Sequence, residues 1–373
     1  MKEILGVVEG WLREGYDVAL ARVIATERSA PLDPGSAMAV RAGGEVIGSV
    51  SGGCVEGAVV EQALEVLRTG APRRLTYGIS DDEAFGVGLT CGGIIHLAVE
   101  RLDWREEFLE LAGAIEREEP ICLVTEIEGP EPGAHLVITP DEVRGGLQPR
   151  ALHEHVVGEA QSMLALGLTG TRRYGTEGEA RRGDVEIFIQ SFAPPARMYV
   201  FGATDFARAT ARMGKFLGYR VTVCDARSAF VTRRRFPEAV ELVVSWPDEF
   251  LAQAPVDRRT VICVLTHDPK FDVPLLQTAL RTEAGYIGAM GSRRTDSDRN
   301  RRLREVGVTD EALARIRGPI GLDIGARNPE ETAVAIGAEI IALRYNFPGG
   351  FLRERQGGVH SSPSTAEVPA AEV

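Results

Sequence analysis

The 373-residue chain is long enough for two domains that each bury a core of their own. Its 44% hydrophobic and 26% charged residues are those of a globular protein, and no apolar run is long enough to span a bilayer. A net charge of −12 argues against nucleic acid as a main partner, since phosphate neutralisation needs an excess of Lys and Arg on one face.

Residues 1–18 read as an amphipathic helix with acidic residues and not as a secretory signal, so the chain is expected in the cytoplasm, without a membrane partner. An apolar run at 18–25 and a Gly/Pro-containing loop at 29–35 follow. Strands are expected at 37–41 and 45–50, joined by the hairpin signal Ala42-Gly43-Gly44. A glycine turn leads into a helix over 55–69, where Val55, Val59, Ala63, Val66 and Leu67 recur at helical spacing. Further strands are expected at 74–77, 94–100, 121–127, 136–138 and 184–192. No internal repeat is visible.

Pro194-Pro195 marks the domain boundary. Beyond it strands at 198–201, 220–224, 240–244 and 260–265 alternate with helices, the first over 206–217. That rhythm predicts a parallel sheet covered on both faces. A last helix over 329–345 carries Ala333, Ile336, Gly337, Ile340 and Ile341 on one face. The fold expected is therefore α/β: an N-terminal mixed α/β domain over 1–193, a C-terminal Rossmann-like parallel-sheet domain over 194–346, and a disordered tail over 347–373 rich in small and polar residues.

Two glycine-flanked cysteines stand out. Ser51-Gly52-Gly53-Cys54-Val55-Glu56-Gly57 lies between a strand and a helix, where backbone amides favour an anion and the thiolate form of Cys54. Gly88-Leu89-Thr90-Cys91-Gly92-Gly93 precedes a strand. Thiolates beside glycine amides suit a soft metal centre, sulfur transfer or an anionic cofactor. Cys122, Cys224 and Cys263 fall inside expected strands and read as buried, inert thiols.

Gly202-Ala203-Thr204-Asp205 occupies the position of a dinucleotide-binding turn, and Asp225 ends the next strand, where the ribose-binding acid belongs. Thr204 replaces the glycine that would admit a pyrophosphate, which counts against NAD(P) at this turn. Thr266-His267-Asp268 ends a strand at the ligand-facing edge of such a sheet. Ser292, Arg293 and Arg294 after Gly291 could hold a phosphate, while Arg299, Arg301, Arg302 and Arg304 read as a solvated helix face. In the loop at 321–330, Asp323 and Arg327 are either site residues or an internal ion pair.

Together SGGCVEG, GLTCGG, THDPKFD, GAMGSRRT and PIGLDIGARNPEE, in this order, closely resemble the XdhC/CoxF family of xanthine dehydrogenase accessory proteins. The match runs over about residues 1–345, with 101–190 contributing little. Where the family usually reads Gly-Ala-Gly-His, this chain has Gly202-Ala203-Thr204-Asp205. The resemblance implies binding of molybdenum cofactor (molybdopterin) as cargo, help with its sulfuration, and insertion into a molybdenum hydroxylase apoenzyme. A cysteine desulfurase-type sulfurtransferase is an implied partner, and a homodimer is the commonest oligomer to expect. By this carry-over Cys54 and Cys91 are candidates for the cofactor or sulfur site, with their neighbours Ser51, Gly52, Gly53, Glu56 and Gly92, and the sequence does not say whether the two turns meet. The resemblance places His267, Asp268, Ser292, Arg293 and Asp323 in a C-terminal crevice, to which the dinucleotide-turn reading adds Gly202 and Asp225 as candidates. The alternatives are an NAD(P)-dependent oxidoreductase with His267 as acid/base, and a scaffold without cargo. A xanthine dehydrogenase proper is excluded, because cysteines at 54, 91, 122, 224 and 263 cannot supply iron–sulfur spacings.

Overall fold

The computed structural model describes residues 1–27, 30–78, 93–176, 178–179 and 183–354. The chain divides into two compact units at Pro194–Pro195. In the first unit the elements run α1 (Leu5–Arg13), β1 (Val18–Glu27), β2 (Ala37–Arg41), β3 (Val46–Gly48), α2 (Glu56–Thr69), β4 (Arg73–Tyr77) and β5 (Ile94–Arg101). There follow α3 (Arg105–Glu116), β6 (Ile121–Glu128), β7 (His135–Ile138), β8 (Val143–Gly145), α4 (Arg150–Leu166), β9 (Gly170–Tyr174) and β10 (Val185–Phe192).

These fourteen elements are one succession used twice. Sheet one has the order β3-β2-β1-β5-β4 and sheet two β8-β7-β6-β10-β9, both antiparallel throughout. The internal repeat that the sequence hides is thus present in the fold. Local details repeat as well. Gly48 and Gly145 end the third strand of each copy at φ +85° and +87°, and a Cβ there would sit 2.3 Å from the carbonyl oxygen of Ala37 or His135. Gly70 and Gly167 cap α2 and α4 in the left-handed conformation, which costs glycine little.

Each sheet buries both faces. The odd-numbered Ala19, Ala21 and Val23 of β1 pack under α2, while Val18 and Leu20 enter a core shared by α1, α3 and the second sheet. Double burial is why β1 reads as an apolar run without alternation, interrupted at Arg22. Ile24, Ala98 and Phe188 join the two sheets directly. Arg22 lies in the same seam, its side chain wholly buried, donating to Glu100 Oε1 and Thr125 Oγ1, both at 2.7 Å.

The second unit comprises β11 (Arg197–Phe201), α5 (Asp205–Phe216), β12 (Arg220–Cys224), β13 (Glu241–Val243), α6 (Pro247–Gln253) and β14 (Val261–Val264). It continues with α7 (Pro269–Leu280), β15 (Tyr286–Ala289), α8 (Arg293–Glu305), α9 (Asp310–Leu313), β16 (Ile316–Arg317) and α10 (Pro329–Arg344). All six strands are parallel in the order β13-β12-β11-β14-β15-β16, with separate apolar clusters on the two faces. The α/β class with a Rossmann-like parallel sheet is therefore as expected.

Several local readings differ. The strand expected at 45–50 stops at Gly48, whose left-handed backbone breaks the ladder. Arg299 is no solvated helix residue. It is 4% exposed, and donates to the Met290 carbonyl at 2.6 Å and to Asp296 at 3.2 Å. On α10, Ala333, Ile336 and Ile340 are buried, and Gly337 approaches Met213 so closely that a Cβ would lie 2.8 Å from its sulfur; Ile341 turns outward. The tail readings at 355–373 lie outside the described residues.

Candidate functional site

At the β3–α2 junction the chain turns through residues 49–55 with Gly52 and Gly53 at φ +76° and +119°. The turn closes around the carboxylate of Glu56, the first residue of α2. Oε1 accepts from Ser49 Oγ (2.5 Å), Val50 N (3.2 Å) and Ser51 N (2.9 Å). Oε2 accepts from Ser51 Oγ (2.6 Å), Gly53 N (2.9 Å) and Val55 N (3.2 Å). The hydroxyls serve the remaining amides: Ser49 Oγ accepts from Gly52 N at 2.8 Å, and Ser51 Oγ from Cys54 N at 3.0 Å and Val55 N at 3.1 Å. Partial burial pushes the Glu56 carboxyl up, but the hydroxyls of Ser49 and Ser51 and the Ser51 amide outweigh it and hold it at about 2. The anion that the amides favour is therefore the protein's own.

Cys54 is half-buried on the apolar cluster beneath α2, together with Ala30, Leu75 and Tyr77. Gly52 and Gly53 are exposed, and a Cβ on either would meet no atom within 4 Å. Cys91 and Gly92 lie outside the described residues. β3 and β4 run parallel to β1 within the antiparallel sheet, so Gly48, Gly78 and Gly93 all stand at the end that carries the Cys54 turn.

The other candidate residues gather at the carboxyl edge of the parallel sheet. The strand order reverses between β11 and β14, the switch point where ligands of open α/β sheets bind. Gly202 follows β11 at φ +104°. A Cβ there would lie 3.0 Å from the backbone of Leu265 and Thr266, so the β11 and β14 ends are in close contact. Thr204 is the N-cap of α5, its hydroxyl accepting from Ala207 N at 3.2 Å. This capping role is the local reason for a threonine where a nucleotide-binding turn has glycine.

Asp225 is 2% exposed and its carboxylate is fully engaged. Oδ2 accepts from Ala203 N (2.7 Å) and Arg227 Nη2 (2.7 Å), and Oδ1 from Arg227 N and Nε, both at 2.9 Å. Burial raises its pKa, but the Arg227 contacts and the Ala203 amide prevail and hold it below the usual value. Such a carboxylate pins the β11 turn and has little left for a ribose. Arg227 is in turn held charged by Asp225 and, more weakly, by Asp268.

His267 is exposed just beyond β14. Asp268 caps α7, accepting from Lys270 N at 3.1 Å. Beneath them Thr266 donates to the buried Asp272, whose pKa is raised by burial against the opposing pull of Thr266, Arg299 and His267. Sequence reasoning missed this buried Thr266–Asp272 pair. The THDPKFD spacing, which puts Asp272 one helical turn beyond the Asp268 cap, was the available signal. Ser292 caps α8 by accepting from Thr295 N at 3.2 Å, and Arg293 and Arg294 stand exposed in the first turn. Asp323 is exposed near the start of α10, and no ion pair with Arg327 is present among the described residues. The Arg327 amide instead donates to Glu331 at 2.7 Å.

Cys122, Cys224 and Cys263 are buried in β6, β12 and β14. Desolvation pushes the Cys122 and Cys224 thiols up to about 12 and Cys263 in the same direction, so none is a ready nucleophile. No group of His, Cys, Asp and Glu among the described residues is arranged to hold a metal ion. No described helix is long and apolar enough to cross a membrane.

A parallel sheet with capped helices at its carboxyl edge, together with a duplicated antiparallel unit that carries the Cys54 turn, defines a two-unit α/β protein with a Rossmann-type domain. Residues 198–340 match the XdhC Rossmann domain, and residues 11–78 match the XdhC and CoxI family. The chain belongs to that family. It is 27% identical over 333 residues to the molybdenum cofactor insertion chaperone PaoD of Escherichia coli, covering 89% of this chain and 85% of PaoD. It is 26% identical over 342 residues to a Bacillus subtilis protein named as a probable xanthine dehydrogenase subunit, covering 91% and 96% of the two chains. A crystal structure described as a xanthine dehydrogenase from Bacillus halodurans shares the fold, with a TM-score of 0.61, 23% identity and 98% of both chains covered.

Proposed function

We propose that this protein binds molybdenum cofactor as cargo and inserts it into the apoprotein of a xanthine dehydrogenase-type molybdenum hydroxylase. The finer steps proposed are help with sulfuration, in contact with a cysteine desulfurase-type sulfurtransferase, in the cytoplasm. The observation that carries this reading is the similarity to a molybdenum cofactor insertion chaperone across both units. The chemistry of the residues supports it. The cargo is anionic, with a phosphate and a dithiolene. The exposed Arg293 and Arg294 at the amide-bearing start of α8 suit the phosphate, and the thiol of Cys54 suits the sulfur chemistry. His267, Asp268 and Asp323 complete the polar edge of the sheet. The saturated carboxylate of Asp225 speaks against the oxidoreductase alternative, since a dinucleotide ribose would have to displace Arg227 or the Ala203 amide.

The test is to produce the protein in a host that makes the cofactor, purify it without oxygen, and measure molybdenum and pterin per chain. Near-stoichiometric pterin in the parent and little in Cys54→Ser is the expected result. NAD(H) binding without pterin would overturn the chaperone reading in favour of the oxidoreductase.

A further inference from the structure

We propose that Glu56 is the positioning residue of the Cys54 turn: its carboxylate fills the amide nest of residues 50–55 from within, fixing Cys54 and closing the nest to external anions. The proposal rests on the reading that Cys54 belongs to the cargo site and assigns a different role to its neighbour.

Each amide from Val50 to Val55 has an acceptor inside the turn. Four donate to Glu56, Gly52 donates to Ser49 Oγ, and Cys54 donates to Ser51 Oγ, a bond that Val55 shares. A strand–glycine–helix junction ordinarily offers such amides to a phosphate. Here the anion is covalently tethered, so its local concentration cannot be matched by a free ligand. Ligand contact at this turn is then left to the Cys54 side chain and the open faces of Gly52 and Gly53. An independent observation comes from the second copy of the fold. There Gly145 is joined to α4 by residues 146–149, without cysteine, and α4 begins with Arg150, which pairs with Glu154 at 2.8 Å on its own helix. The carboxylate at the helix start thus accompanies the cysteine turn and is not required by the fold.

The experiment is alkylation of the full-length protein by iodoacetamide, with the modification rate of each cysteine read by peptide mass spectrometry. Wild type, Glu56→Gln and Glu56→Ala are compared with and without inorganic phosphate. Loss of charged hydrogen bonds frees the turn, so the Cys54 rate should change about tenfold in both variants while Cys122, Cys224 and Cys263 stay protected. Phosphate should draw the rate back in Glu56→Ala, where the nest is vacated, and leave wild type unchanged. An unchanged Cys54 rate in both variants would overturn the proposal. So would phosphate slowing Cys54 in wild type, because the nest would then be open. Alkylation of Cys122 in the variants as fast as that of Cys54 itself would mean that Cys54 reacts only through unfolding of the whole unit, and would overturn the positioning role. Pterin content is a separate readout: a wild type without pterin removes the chaperone reading and leaves the alkylation contrast standing.

Discussion

Glu56 also gives the site a measurable acid signature. Its folded-state pKa of about 2 lies below the ordinary 4.5, so its stabilisation is present in full above about pH 4.5 and fades as the pH falls toward 2. Discounted for its partial exposure, that stabilisation is about 1–2 kcal/mol. Urea melts of wild type and Glu56→Gln should differ by this amount at neutral pH. More than half of the gap should close by about pH 3. A gap independent of pH would mean that the carboxylate is not held by the Ser49 and Ser51 hydroxyls. At this scale the sequence showed which residues cluster, and left their use open. The glycines and serine around Cys54 announced an amide nest correctly, yet nothing in the spacing said that Glu56 fills it. Asp225 stood where a ribose-binding acid belongs, and only the Arg227 and Ala203 contacts show its charge already spent.

Elements were more legible, because periodicity reports burial directly. The apolar run of β1, the alternating rhythm of the second unit and the helix after Asn328 all follow from which faces are covered. Short or exposed pieces were harder. Strands β8 and β16 have three and two residues, too few to show a period. Arg299 was misread because an arginine among arginines looks solvated, and its burial depends on a carbonyl nine residues upstream, that of Met290. The junction of β11, α5 and β14 supplies the sharpest element-level expectation. Gly202→Ala would press a Cβ to 3.0 Å from the backbone of Leu265 and Thr266 in a left-handed conformation. Backbone cannot swing aside as a side chain can, so the change should cost about 1–3 kcal/mol. Equilibrium unfolding that shows Gly202→Ala as stable as wild type would refute this close approach.

At the level of the whole molecule, the first unit depends on a charged residue where two sheets meet. Arg22 sits against Glu100 and Thr125 with the Phe188 ring 5.6 Å from its guanidinium, while its Nε and Nη1 find no acceptor. Burial raises the Glu100 pKa and Arg22 opposes the rise, so each charge depends on the other. Removing one partner strands the second, and Arg22→Ala should cost about 3–5 kcal/mol. Replacing both by apolar side chains of similar size should recover much of that loss in denaturant melts. If Arg22→Ala proves as tolerable as a surface change, the seam is not what joins the sheets.

The duplication in that unit has a further use. Two copies of one fold within a single chain have met the same folding requirements while only one was given the cysteine turn, so each serves as the other's control. Whatever both retain, such as Gly48 with Gly145 and Gly70 with Gly167, is what the architecture demands. Among the described residues, Ser49 through Glu56 belong to the first copy alone and are what the architecture could do without. The molecule thereby sorts its own residues into those that build the frame and those added for a task, and the cysteine turn falls wholly among the latter.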